Sequence, residues 1–338
     1  MRRPDLPSRG TLRRDLVAGV PGAIASVPDG MAASVLAGIG PSHGLYASFA
    51  GRTAGGLTSS TRLMVITTTS AAALAAGSAV AGMPSQDRGG GVVLVTLVAG
   101  LVMLAAGILK LGRFARFVSH SVMSGFLFGI AVNILLGQIP DLTGAVATGS
   151  TSLAKAFSVI THPARIDGPS LFVGLLAIGV LLVARFVPPV ASYGAVLALL
   201  IPTVTAMLLG LEVESVGDTG EIPAGLPIPH LPSLGLLSPG LVVGGLSVAA
   251  IVLVQGYGVS QSVPNSDGQP SSASQDFAAQ GVGNLAAAVF AGQPVGGSVG
   301  QTAMNVAAGA VSRWAGIFSG LWMLAILVAL SPLVSKAL

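Results

Sequence analysis

The stretch Gly292-Gln-Pro-Val-Gly-Gly-Ser-Val-Gly-Gln-Thr-Ala-Met-Asn-Val-Ala-Ala-Gly309 decides how this chain folds. Pro294, Gly296, Gly297 and Gly300 oppose helix until about Ser298, after which the composition permits one. The stretch therefore reads as an extended lead-in and then a short helix beginning inside an apolar layer. A second stretch, Arg62-Leu-Met-Val-Ile-Thr-Thr-Thr-Ser-Ala-Ala-Ala-Leu-Ala-Ala-Gly-Ser78, repeats the plan. Its β-branched residues come first, and helix begins only near Thr67 to Ser70. Laid over one another, Ser70-Ala71 falls on Thr302-Ala303 and Ala75-Ala76-Gly77 on Ala307-Ala308-Gly309. Paired, interrupted apolar segments in two halves of a chain are the sequence mark of a transporter's midplane site. Free N–H groups and the positive dipole end of each half-helix favour an anion there, and Ser and Thr hydroxyls add donors. The competing reading is that small residues only allow close helix packing in lipid.

The rest of the chain is built for a bilayer. Of its 338 residues 52% are hydrophobic and 8% charged, too few charges to clothe a water-facing surface. The mean hydropathy is +0.84. Long uncharged runs recur at Val92–Leu109, Leu171–Val183, Val190–Leu211, Leu241–Val254 and Ile317–Val334. Each supplies much of the roughly 20 residues that a membrane helix needs. We place spans at 15–39, 44–59, 64–82, 91–110, 118–138, 169–187, 190–211, 240–260, 276–291, 297–311 and 314–334. The fold class is an all-α polytopic membrane protein, one domain over 1–338 without a soluble module. The basic start followed by apolar residues resembles a signal peptide, but Pro21 and Pro28 interrupt it, so an uncleaved first span is expected.

Basic residues orient the chain. Arg2, Arg3, Arg9, Arg13 and Arg14 precede the first span and place the N-terminus in the cytoplasm. Alternation then puts Arg62, Lys110, Arg113, Arg116, Arg185 and Arg313 inside, and Glu212, Glu214, Asp218 and Glu221 outside. Arg88, Lys155 and Arg165 fall outside against the trend. Residues 139–168 and 212–239 read as external loops, and 261–275 as a polar internal one. The expected location is the plasma (inner) membrane, multi-pass.

Ionisable groups inside spans are costly and are functional candidates by default. Asp29, in Ser26-Val-Pro-Asp-Gly-Met31, is the only acid in the interior of the first span. Pro28 and Gly30 flank it, so a helix break is expected there, with Asp29 either coupling transport to H⁺ or Na⁺ or capping the break. Gln255 is a neutral amide placed to line the same cavity. Arg52 falls within the second span, where it either snorkels or marks the cytoplasmic side of a short helix, and it is assigned no role.

Other classes find no support. The chain has no cysteine, which excludes disulfides and thiolate metal sites. His43, His120, His162 and His230 lack ligand spacing and read as loop or helix-end residues. Gly38-Ile-Gly-Pro-Ser-His-Gly44 has the wrong spacing for a dinucleotide loop and reads as a turn. There is no P-loop, so neither an enzyme nor an ATP-driven pump subunit is expected, and no cofactor beyond a coupling ion. The net charge of +4 sits mostly at span ends, which does not suggest nucleic-acid binding.

At several of these stretches the chain resembles the SulP (sulfate permease) anion transporter family. The matching residues are Arg14-Asp-Leu-Val-Ala-Gly19, Val27-Pro-Asp-Gly-Met31, Leu36-Ala-Gly-Ile-Gly-Pro41, Gly44-Leu-Tyr-Ala47 and Gly137-Gln-Ile-Pro-Asp-Leu142. Later come Gln280-Gly-Val-Gly-Asn284, Gly292-Gln-Pro-Val-Gly-Gly-Ser298, Thr302-Ala-Met-Asn305, Ala308-Gly309 and Ala315-Gly316. The resemblance implies a transporter fold of fourteen spans in two inverted repeats of seven, with half-helices at the third and tenth spans. It implies a small inorganic anion, sulfate or else bicarbonate or a small carboxylate, carried by secondary active transport through alternating access. A homodimer is a candidate assembly.

Carried over position by position, the resemblance implicates Thr67, Thr68, Thr69 and Ser70 with Gly297, Ser298, Val299, Gly300, Gln301 and Thr302 in substrate binding. Pro28, Asp29 and Gln255 would face the same cavity, Asp29 as the ion-coupling residue. The family often has Arg where Gln301 stands, an acid near Gln255 and Gln where Asp29 stands. Against fourteen spans, eleven leave the second repeat incomplete and the family's STAS domain absent. That departure keeps a truncated, non-transporting remnant or a membrane scaffold open, and the shared fold keeps a nucleobase permease open.

Overall fold

The computed structural model describes residues 8–117, 120–149, 151–187, 194–214, 228–265 and 267–329. In chain order the helices begin with α1 (Arg9–Leu36), α2 (Ser42–Ala50), α3 (Gly56–Thr58), α4 (Ser70–Val80) and α5 (Ser85–Ile108). Next come α6 (His120–Gly137), α7 (Ile139–Thr143), α8 (Ser152–Thr161), α9 (Gly168–Phe186) and α10 (Gly194–Leu209). The last are α11 (Pro239–Ser262), α12 (Ala273–Val289), α13 (Val299–Ala307) and α14 (Trp314–Ala329). The only regular structure besides helix, among the described residues, is a pair of three-residue strands, β1 (Ile66–Thr68) and β2 (Val295–Gly297). A π-helical turn, Gly51–Gly55, joins α2 to α3. Helices at Gly10–Leu36, Ser85–Ile108, Gly168–Phe186 and Pro239–Ser262 are long and apolar enough to cross a bilayer.

The described residues group into two compact units, one from the chain up to 118 together with 220–331, the other from 119–219. The first unit carries the half-helices. Its core interleaves small and branched side chains: Ala72 and Ala76 of α4, Val92, Leu94, Val95 and Ala99 of α5, and Val248, Ala249 and Val252 of α11. Helices have little hydrophobic drive to associate in lipid, so close packing of small residues supplies the attraction. The crossing of α1 and α2 shows how close: a methyl group on Gly44 would overlap the Gly30 carbonyl.

In the second unit α10 packs on α9, and α7 and α8 on α6. The face of α9 exposes Phe172, Leu175, Leu182 and Val183, a surface that suits lipid and not water. Asp167 caps α9, accepting from the Ser170 N–H at 2.8 Å; the Ser170 hydroxyl first, and then this N–H, hold its carboxyl below the usual carboxylate range. Burial pushes the Asp141 carboxyl of α7 upward, Glu214 adds to the rise, and Lys155 opposes it.

Three expectations need correction. First, α1 does not break at Asp29; it runs unbroken from Arg9 to Leu36 with Pro21 and Pro28 inside. The missing proline N–H groups cost hydrogen bonds, yet packing against α2, α4, α13 and α14 keeps the helix whole. Second, 139–168 is not an irregular loop, because α7, α8 and a 3₁₀ turn at Pro163–Arg165 occupy it. Third, the two half-helices are three residues out of the register in which Ser70 overlies Thr302, since their corresponding caps are Thr69 and Ser298. Asp218, Glu221 and Ser266 lie outside the described residues. So do 1–7, with Arg2 and Arg3, and 330–338, with the end of the last expected span.

Candidate functional site

The two lead-ins pair with each other. β1 and β2 run antiparallel, with Ile66 opposite Gly297, Thr67 opposite Gly296 and Thr68 opposite Val295. Because α4 follows β1 and α13 follows β2, the helices start from opposite ends of one short ribbon. Each start is capped by a hydroxyl: Thr69 Oγ1 accepts from Ala72 N at 3.3 Å, and Ser298 Oγ from Gln301 N at 3.3 Å. Helix geometry leaves the N–H groups of Ser70 and Ala71, and of Val299 and Gly300, without a partner inside their own helices. Two positive dipole ends, worth roughly half a charge each, thus bracket the ribbon. That is an arrangement for an anion.

Side-chain amides fix the ribbon. Asn284 Oδ1 accepts from Val295 N at 3.0 Å while its Nδ2 donates to Val295 O at 2.7 Å. Gln280 Oε1 accepts from Gly297 N at 3.1 Å, and Gln255 Nε2 donates to Gly297 O at 3.2 Å. On the other strand's side Ser298 N donates to Val65 O at 2.9 Å, and Val65 N donates to Thr302 Oγ1 at 3.0 Å. Thr302 Oγ1 accepts from the backbone ahead of β1 and keeps its own hydrogen to donate. Thr68 pairs with Ser48 at 3.2 Å. Thr67 Oγ1 and Gln255 Oε1 are buried without a partner among the described residues. The ribbon thus brings together Thr67 to Ser70, Gly297 to Thr302 and Gln255. Pro28 is half-buried one residue before Asp29 on α1.

The residue that sequence reasoning missed is Arg52. It does not snorkel; it is 1% exposed, in the π-helical turn. Its guanidinium donates to Ser319 Oγ at 2.6 Å, to Ser26 Oγ, and to Gln301 Oε1 at 2.7 Å. Gln301 Nε2 in turn donates to Asp29 Oδ2 at 3.2 Å. Asp29 keeps accessible surface beside this partly buried hydrogen bond, and it caps no helix end. The signal for Arg52 was present, because an intramembrane cation marks a site by default.

Carboxylates hold the loops that flank the half-helices. Asp276 Oδ1 accepts from Ser60 N at 2.6 Å, Thr61 N at 3.0 Å, Ser59 Oγ at 3.0 Å and Ser60 Oγ at 2.8 Å. Asp15 accepts from Val311 N at 2.9 Å, Ser312 N at 3.3 Å and the Ser312 hydroxyl. His43 Nδ1 bonds to the Ala291 carbonyl, so it carries the proton. Burial pushes the His43 pKa below its usual 6.5. Among the described residues no three His, Asp or Glu side chains gather as a metal set. A cavity of about 620 Å³ opens at Lys110, Arg113 and Gln275, lined by none of the half-helix residues.

The chain is 28% identical over 301 residues to a probable sulfate transporter of Mycobacterium tuberculosis, covering 88% of this chain and 53% of that one. It is 29% identical over 336 residues to the putative sulfate transporter YvdB of Bacillus subtilis, covering 96% and 61%. The chain therefore spans little more than half the length of these curated relatives. Its fold matches the transmembrane domain of a cyanobacterium bicarbonate transporter, BicA, with a TM-score of 0.78 at 20% identity, over 98% of this chain and 86% of that one. The murine Solute Carrier 26 family member A9 anion transporter in the inward-facing state matches with a TM-score of 0.74 at 18% identity, over 98% and 59%. A family profile described as the sulfate permease family matches residues 12–337, and the chain belongs to that family.

Proposed function

We propose that the chain is the membrane domain of a secondary transporter that carries a small anion by alternating access. The observation that carries this reading is the pair of capped half-helices whose free N–H groups bracket one buried ribbon. Such a site stabilises a compact oxyanion with fixed dipoles and needs no bulk water. Sulfate is the leading substrate, because the relatives from Mycobacterium tuberculosis and Bacillus subtilis are named as sulfate transporters. Bicarbonate, which the structural neighbour BicA is named for transporting, and a small carboxylate are the other members of the class. Asp29, one hydrogen bond from Gln301 of the tenth-span half-helix, is the coupling residue for H⁺ or Na⁺. The chain sits in the plasma membrane with a cytoplasmic N-terminus, and a homodimer is the assembly we expect. Uptake of labelled sulfate, bicarbonate and succinate into proteoliposomes holding the full-length protein tests the reading. Saturable uptake of at least one is expected; failure with all three sinks it.

A further inference from the structure

Arg52 has no place in the site as drawn from the half-helices alone, yet the fold is shaped around it. The π-helical turn adds one residue to the helical ladder at Gly51–Gly55 and so re-aims the side chain. Space for it is reserved on two neighbours. A methyl group on Gly320 would lie 3.1 Å from Arg52 Cβ, and one on Gly22 would lie 3.4 Å from Arg52 Nη1. Ser26 and Ser319, also small, accept hydrogen bonds from the guanidinium at the floor of this slot. A buried cation in a membrane needs compensating charge. Its third bond leads there, through the Gln301 amide to Asp29. Because Gln301 Oε1 accepts from Arg52, its N–H₂ can only face the carboxylate.

Among the described residues, the elements packed most closely on α1 bring no competing charge. The elements packed against α1 are α2, α4, α13, α14 and β1. Their titratable groups are His43 and Tyr46 of α2; α4, α13, α14 and β1 contribute none. His43 is engaged with the Ala291 carbonyl. On α1 itself Asp15 is held by Val311 and Ser312, and Arg13 and Arg14 lie four turns from Asp29, about 22 Å along the helix.

We propose that Arg52 is the fixed positive charge of the anion site and that Gln301 links it to Asp29, so that a proton on Asp29 and an anion at the half-helices are bound together. With Asp29 ionised, Arg52 is balanced internally and the site attracts an anion by its dipoles only. With Asp29 protonated, the charge of Arg52 is released to the anion at low dielectric. Each ligand therefore raises the affinity for the other, by the same factor. No bond is made or broken beyond the O–H of the carboxyl. Arg52 acts here as a positioning and compensating residue, behind the first turn of α13. The inference deepens the anion-transport reading and rests on it.

Binding of sulfate, with bicarbonate in a parallel arm, measured by titration calorimetry on the purified full-length protein between pH 6.5 and 8.5, tests the linkage. Wild-type affinity should fall with rising pH, by up to about tenfold per unit when one proton accompanies one anion. Asp29→Asn should bind at every pH as tightly as the wild type does at its acid limit. Arg52→Gln should bind about tenfold or more weakly at pH 6.5 and lose the pH slope, whereas Arg52→Lys should restore the slope. If Arg52→Gln does not fold, Asp29→Asn decides alone: weakened binding, or a wild-type pH slope, overturns the proposal. A dependence on Na⁺ at fixed pH, in place of pH, overturns the proton assignment. Wild-type protein that binds neither anion at any pH overturns the anion site itself, and this inference with it.

Discussion

Asp276 shows how much a single side chain does for the site without touching it. Its carboxylate collects backbone and hydroxyl donors from Ser59, Ser60 and Thr61, the turn that delivers the chain to β1. Asp276→Asn replaces an acceptor by an N–H₂ that faces other donors, leaving buried polar groups unpaired. The expected cost is roughly 3 kcal/mol, read as lowered thermal stability in detergent; an unchanged midpoint would show the turn is held otherwise. His43 gives the pH dependence a sign. Its folded value lies below 6.5, so the unfolded chain binds the extra proton and stability is lost on acidification through that value. His43→Gln should flatten this loss as the pH falls below 6.5, and a slope equal to the wild type's would assign it to other groups. At this scale the sequence was readable where a residue's role is local. Helix starts near Thr67 to Ser70 and at about Ser298 were legible, and Thr69 and Ser298 cap them. Arg52 did not, because its partners Ser26, Gln301 and Ser319 come from three distant segments.

Among the elements, α12 matters most to the ribbon. Gln280 and Asn284, one helical turn apart, both turn to β2 and satisfy the backbone of Val295 and Gly297. Asn284→Ala would orphan the Val295 N–H and C=O in the membrane interior. We expect a loss of about 2–4 kcal/mol and slackened anion binding, checked by denaturation together with calorimetry. Full stability in that variant would mean the strand pairing suffices by itself. The extended lead-ins were legible from proline, glycine and β-branched residues. Their antiparallel pairing was not, since register depends on contacts between residues more than two hundred positions apart. The unbroken α1 and the helix α8 were misread for opposite reasons. Pro28 and Gly30 overstate the break when neighbouring helices support the backbone. The Thr151 cap on Ala154 N at 3.2 Å understated a helix of only ten residues among turn formers.

For the whole molecule, composition alone announced a membrane protein, and the resemblance to sulfate permeases supplied the two-repeat plan that the fold match supports. Topology can be checked directly because the chain has no cysteine of its own. Gln86→Cys, between α4 and the apolar body of α5, should react with a membrane-impermeant maleimide in intact cells. Asp267→Cys, between α11 and α12, should react only after lysis; the reverse pattern would invert the cytoplasmic N-terminus. We propose that anions bind where the N-termini of α4 and α13 meet the ribbon. Ser298→Leu fills that place and removes a cap. Its most direct test is titration calorimetry of wild type and Ser298→Leu with sulfate, bicarbonate and succinate. The wild type should bind at least one anion saturably, and the variant, still folded, should not. Equal affinity in the two proteins would contradict it.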